Sequence, residues 1–190
     1  MSDAVATVEE IVVACHSMAG LPYDGEPVDQ LQHALQCAWL AQAERDDDDE
    51  FVIACLLHDI SRAPAVAGIT HDGPREHHGE AAARWLEPRV GARVAWLAEQ
   101  HVAAKRFLVA TDPSYEGQLS DVSARTLRAQ GGAMSPAEVE RFRASADWEQ
   151  AVALRRIDDR GKVVDLEVPA IGAYRDTLMR VVEAAGAPTA

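Results

Sequence analysis

No apolar run in the 190-residue chain approaches the roughly 20 residues that a membrane-spanning helix needs, so no span is expected. Paired cysteines are missing too. Cys15, Cys37 and Cys55 show no Cys-x-x-Cys spacing and no flanking histidine pattern, which argues against a thiolate zinc cage or a redox couple and leaves each as filler in an apolar helical pattern. The first residues carry acids in place of the basic and apolar regions of a leader. With the odd cysteine count, this predicts a reducing, cytoplasmic setting. Basic residues are scarce: 18 Lys and Arg against 31 Asp and Glu give a formal net charge of −13, which argues against a nucleic-acid partner or an anionic membrane surface. An anionic small molecule would then need a local cation cluster working against the global field. Strand-type alternation is nearly absent, and no internal repeat or low-complexity linker interrupts the chain. The expectation is one all-α domain over 1–190.

What is present is helical periodicity. Apolar stripes predict helices over Ala4–Met18, Gln30–Glu44 behind an Asp29 cap, Phe51–Ile60, Arg75–Glu87, Gly91–Leu108, Gln118–Gln130, Pro136–Ala144, Trp148–Asp159 and Ile171–Ala184. A loop containing Tyr23, Gly25 and Glu26 follows Gly20 and Pro22, and another carries Pro64, Gly68, Gly73 and Pro74. The acidic run Asp46–Glu50 lacks the glycine and ligand spacing of a calcium loop and reads as a solvated turn whose last acids suit a helix N-terminus.

The helix from Phe51 is almost wholly apolar, yet it ends in His58-Asp59. An ionisable pair at the end of a core helix is costly unless something compensates, and a metal compensates directly. His33, His78, His101 and Asp158 lie on other predicted helices, as expected when ligands converge on the core of a bundle. Imidazole and carboxylate without thiolate suit iron or manganese better than structural zinc. Adjacent residues on a helix point about 100° apart, so His58 and Asp59 serve one site most easily if the aspartate bridges two metals. His16, His71 and His77 have no assigned partner; His77 reads as an outer-shell or surface residue.

The order His33, His58-Asp59, Asp158 matches the HD domain, and His78 and His101 match the added histidines of its dinuclear members. A narrower likeness runs from about Tyr23 to Lys162. The stretches Tyr23-Asp-Gly-Glu26, His101-Val-Ala-Ala-Lys105-Arg, Asp112-Pro-Ser-Tyr115, Leu119-Ser-Asp-Val-Ser123, Gln130-Gly-Gly-Ala-Met134 and Arg155-Arg-Ile-Asp158-Asp resemble the PhnZ-like phosphonate-degrading HD oxygenases, relatives of myo-inositol oxygenase. The resemblance implies an all-α HD-domain bundle holding an Fe(II)/Fe(III) pair on His33, His58, Asp59, His78, His101 and Asp158. Such an enzyme would use O2 to cleave the C–P bond of a small 1-hydroxyphosphonate, such as 1-hydroxy-2-aminoethylphosphonate or an N-methylated or shorter analogue. Inorganic phosphate and a carboxylic acid would result. A separate phosphonate-hydroxylating oxygenase is implied as the pathway partner.

By the same resemblance Tyr23 covers one iron at rest and leaves when substrate enters, while Glu26 meets the substrate's cationic end. Lys105 and Arg155, assisted by Ser123 and Thr126, match the family's phosphonate-binding positions. Lys105 lies one turn beyond His101, and Arg155 nearly one turn before Asp158, so each cation stands beside a ligand. The arginine fork could hold two phosphonate oxygens at once. The family often has histidine where this chain has Arg62, which bears on the substrate more than on the metals. Rival readings are an HD phosphohydrolase acting on a nucleotide or other phosphate ester, a polyol oxygenase, and a binding module without turnover.

Overall fold

The computed structural model describes residues 3–23, 25–70 and 78–186, with the backbone alone at 68–70. Its α-helices are α1 (Asp3–His16), α2 (Gln30–Glu44), α3 (Asp49–Leu57), α4 (Pro64–Thr70), α5 (His78–Val90), α6 (Ala92–Thr111), α7 (Asp121–Ala129), α8 (Pro136–Arg143), α9 (Trp148–Arg160) and α10 (Arg175–Gly186). Short 3-10 turns cover Ile60–Arg62, Glu116–Gln118 and Ile171–Tyr174. Among the described residues there is no strand, only an isolated bridge between Pro22 and Asp29. The fold is all-α. No described helix is long and apolar enough to cross a membrane.

Helix α3 is the axis. Every residue from Phe51 to Leu57 is buried, and α2, α6, α9 and α10 pack around it. Its N-terminus is capped by the Asp48 carboxylate, which accepts from the Phe51 amide, and Arg93 of α6 bridges Asp48, Glu50 and Asp147. The acidic run is thus a cap and an ion-pair platform as well as a turn. Cys15, Cys37 and Cys55 are unpaired and fully buried; Cys15 and Cys55 are apolar filler as expected, whereas the Cys37 sulfur meets the His33 ring.

Several element boundaries differ from expectation. The α3 helix stops at Leu57: His58 Nδ1 donates to the Cys55 carbonyl at 2.8 Å, claiming the acceptor that an unbroken helix would offer the Asp59 amide. Pro64, read from sequence as a loop marker, instead opens α4, where its missing N–H costs nothing. Helix α5 runs past the expected stop at Glu87 through Pro88 to Val90, which is buried. The stretch from Gln118 divides into a 3-10 turn and α7 because Ser120 caps the latter, accepting from Ser123 N at 3.1 Å. The expected helix start at Arg75–His77, the loop glycine and proline at 73 and 74, and His71 fall outside the described residues.

The segment between α1 and α2 is anchored at its base by Asp29. That side chain caps α2 through Gln32 N at 2.7 Å and also accepts from the Gly20 amide at 2.9 Å. A turn closed by Glu26 N to Tyr23 O at 2.8 Å follows, with Gly25 at φ +100°, a backbone region that L side chains avoid. This turn directs Tyr23 and Glu26 inward.

Candidate metal centre

Four imidazoles and two carboxylates meet where α2, the end of α3, the start of α5, the middle of α6 and α9 converge. They form two groups. His33 and His58 face each other with Nε2 atoms 3.2 Å apart, and Asp158 Oδ1 lies 3.5 Å from His33 Nε2. His78 and His101 approach to 2.8 Å between Nε2 atoms, with Asp59 Oδ1 at 3.3 and 3.8 Å. The Asp59 carboxylate lies between the groups, since its Oδ2 is 3.7 Å from His58 Nε2. The side chain expected to bridge is the one that reaches both sets.

Backbone carbonyls fix the tautomers. His33 Nδ1 donates to Gly161 O at 2.8 Å, His58 Nδ1 to Cys55 O at 2.8 Å and His101 Nδ1 to Ala98 O at 2.5 Å. A carbonyl can only accept, so each Nδ1 carries the proton and each Nε2 of a neutral ring presents a bare lone pair. Burial lowers the His33 pKa to about 4 and holds His101 well below its ordinary value, which keeps both rings neutral. Lone pairs turned towards one another repel unless a cation lies between them. Asp59 Oδ1 is buried and accepts no hydrogen bond among the described residues. Burial alone would raise the pKa of Asp59 and of Asp158; the imidazoles around the first, and the Arg155 and Lys162 charges around the second, outweigh it and keep both ionised. These donors fit metal ions: the ligand atoms of Asp59, His78 and His101 lie within 4.8 Å of one another, as do those of His33 and His58 with the Cys37 sulfur beside them, and Asp158 Oδ1 adds a carboxylate 3.5 Å from His33 Nε2.

Cys37, expected as apolar filler, and Gly161, which carries no expectation from the sequence, both border the centre. The Cys37 sulfur sits 3.7 Å from His33 Nε2, and burial pushes its thiol well above the usual range, so it backs the first group as a neutral wall. At Gly161 a Cβ would fall 2.5 Å from that sulfur. Only glycine lets the chain leaving α9 pass close enough for its carbonyl to receive His33. The glycine ending a helix was the visible signal.

A cavity of about 290 Å³ opens beside the second group. Its wall includes Asp59, His78, His101 and Asp158 from the ligand set, Tyr23 and Glu26 from the turn, and Lys105, Ser123, Thr126 and Arg155, together with Arg62, Arg125 and Lys162. Lys105 is 3% exposed and donates to Thr126 Oγ1 at 2.9 Å. Arg155 is 4% exposed and largely engaged by the protein. Its Nη1 donates to Asp158 Oδ2 at 2.6 Å, its Nη2 donates to Asp159 and reaches Ser123 Oγ at 3.5 Å, and its Nε donates to Tyr115 OH at 3.0 Å. The Tyr115 hydroxyl in turn donates to Asp159 Oδ2 at 2.5 Å. The guanidinium fork therefore grips two protein carboxylates, leaving fewer N–H groups for a ligand than the sequence reading foresaw. Tyr115 and Asp159 had no role in that reading, although both fall within the motifs quoted for the resemblance. Tyr23 stacks on the His33 ring at 4.2 Å and points its hydroxyl at Asp158 Oδ1, 3.4 Å away. His16 is exposed at the end of α1, apart from the centre, and His77 lies outside the described residues.

No family model matches the chain. Curated relatives do. It is 35% identical over 163 residues, 85% of its own length and 83% of the relative's, to a (1-hydroxy-2-(trimethylamino)ethyl)phosphonate dioxygenase, glycine-betaine-forming, of Leisingera caerulea. It is 35% identical over 161 residues, 82% of itself and 78% of the relative, to a hydroxymethylphosphonate dioxygenase of Gimesia maris. An uncharacterised protein of Acanthamoeba polyphaga mimivirus is 28% identical over 183 residues. With two such relatives matched along most of their length, and with their shared chemistry calling for the metal-ligating and anion-facing groups found here, the chain belongs to the PhnZ-like phosphonate dioxygenase family.

Proposed function

We propose that the chain cleaves the C–P bond of a small 1-hydroxyphosphonate with O2, holding two iron ions on His33, His58, Asp59, His78, His101 and Asp158. The observation that carries this reading is one cavity shared by a metal-ligand wall and an anion-binding wall: Lys105, Ser123, Thr126 and Arg155 face the same space as Asp59, His78 and His101. The irons, when bound, supply the redox chemistry. Going from hydroxyphosphonate to carboxylate and inorganic phosphate, the carbon loses four electrons and O2 accepts four, so no further oxidant is needed.

The residues do the rest. Lys105 and the Ser123 and Thr126 hydroxyls are donors suited to phosphonate oxygens, and the buried guanidinium of Arg155 adds charge while orienting Asp158. Tyr23 covers the His33 side until a ligand arrives, and its departure with the Glu26 turn would open that half. Burial raises the Tyr23 phenol well above its ordinary value, helped by the neighbouring Asp158 charge, so without a metal it remains protonated and donates. The test is to incubate iron-loaded protein with 1-hydroxy-2-aminoethylphosphonate, its trimethyl analogue and hydroxymethylphosphonate. Stoichiometric O2 uptake and phosphate release with at least one is the expected result. Phosphate release from a phosphate ester without O2, and none from hydroxyphosphonates, would replace this reading with hydrolysis.

A further inference from the structure

Resting on the hydroxyphosphonate reading, we infer that this chain takes a hydroxyphosphonate that carries no cationic group, and that Lys162 is the residue that enforces the choice. A substrate ammonium needs a carboxylate or an aromatic face in the cavity wall. The wall's described carboxylates are Glu26, Asp59 and Asp158. Asp59 faces three imidazoles, and Asp158 is held by Arg155 and shared with His33 and Tyr23. Glu26 is left. Its Oε1 accepts from Ser120 Oγ at 2.6 Å and lies 3.4 Å from Lys162 Nζ.

That pair is poorly screened, because the Lys162 and Glu26 side chains are only 12% and 10% exposed. The aromatic alternative is also taken: the same Nζ stands 5.6 Å from the centroid of the Tyr23 ring. One lysine therefore occupies both features that would greet an ammonium or a trimethylammonium. An arriving cation would have to displace Lys162, stranding its charge among Lys105, Arg125 and Arg155, or remain unpaired itself. A phosphonate without a cationic tail meets neither cost. It leaves Lys162 on Glu26 and meets a wall of net positive charge headed by Lys105, the local cluster that a chain of net charge −13 needs to attract an anion.

Binding and turnover can be read separately on the iron-loaded full chain. Anaerobic titration with hydroxymethylphosphonate and with 1-hydroxy-2-aminoethylphosphonate should give the former the lower Kd by about tenfold or more. Lys162→Met should narrow that ratio by about tenfold, because it frees Glu26 and the Tyr23 face together. Lys162→Gln, a second variant in case the first folds poorly, should narrow the ratio in the same direction, because it too removes the charge held against Glu26 and the Tyr23 face. Equal or tighter binding of the aminoethyl compound by the parent protein would overturn the inference, as would a ratio that Lys162→Met leaves unchanged. The expected ratio without O2 uptake would support the selector while overturning the oxygenase reading, and absence of binding by both compounds would overturn the two together.

Discussion

His33 and His58 are sealed inside the bundle, with Cys37 behind them and the Tyr23 ring stacked across the front, whereas Asp59, His78 and His101 form part of the cavity wall. The two halves of the centre thus differ in access more than in donor chemistry. A small molecule can reach Asp59, His78 and His101 through the existing cavity, which Asp158 of the first half also lines, but His33 and His58 become reachable only when Tyr23 leaves. For a reaction that must bring together an anionic substrate and O2, such asymmetry separates the two arrivals. What covers each side differs, although the ligands themselves are similar.

The largest effect is expected where the halves meet. Asp59 is the side chain facing ligands of both groups, through Oδ2 on one side and Oδ1 on the other. Asp59→Ala should lower metal affinity at both positions, beyond the 10- to 100-fold (about) that loss of an outer-shell partner causes. Iron content per chain after desalting measures it. Loss of a single equivalent, with the other retained at parental affinity, would show that the halves are independent and that Asp59 belongs to one of them.

A smaller change should separate the halves. Tyr23→Ala removes the ring stacked on His33 and enlarges the cavity, leaving the His78 and His101 side chains in place. Chelator extraction of one iron equivalent should accelerate by about tenfold, the scale of one lost well-packed contact, while the other equivalent leaves at the parental rate. Uniform acceleration of both would mean that the cover is not confined to one side.

The candidate metal ligands are easier to read in the sequence than the rest of the cavity wall. His58-Asp59 stands out because an ionisable pair interrupts an otherwise apolar segment, and His33, His78, His101 and Asp158 follow once ligands on separate helices are sought. Each is polar at a position where helical periodicity calls for burial, so the sequence carries the signal locally. The cavity side depends on distant encounters. Lys162 meets Glu26 across 136 residues and Tyr115 meets Asp159 across 44, and neither spacing has a periodicity that a helix or turn would impose. The Arg155 fork, expected on the ligand, instead closes on Asp158 and Asp159, whose i+3 and i+4 spacing on the same helix already places both carboxylates within its reach. In the fold, α4 was missed because Pro64 and Gly68 read as breakers, although proline at the first position of a helix is favourable.

Lys105 offers the smallest effect and the finest distinction between the halves. Burial, with the neighbouring Arg155 charge acting in the same direction, lowers its pKa to about 7 from 10.5. With the folded pKa depressed, the ammonium is present below pH 7 and is lost as pH rises through that value. Its contribution to anion binding should fade over the same interval, by about tenfold, the worth of one charge-assisted hydrogen bond. The phosphonate's own second ionisation works in the opposite sense, so the informative quantity is the difference between the parent and Lys105→Arg, whose guanidinium stays charged. Subtracting the two Kd profiles should leave a single descending limb centred near pH 7. Iron content should stay level across that range in both proteins, because Lys105 faces the cavity and bonds to Thr126, which is outside both ligand groups. A Lys105 variant that loses iron along with anion affinity would break the separation between the wall that holds metal and the wall that holds the ligand.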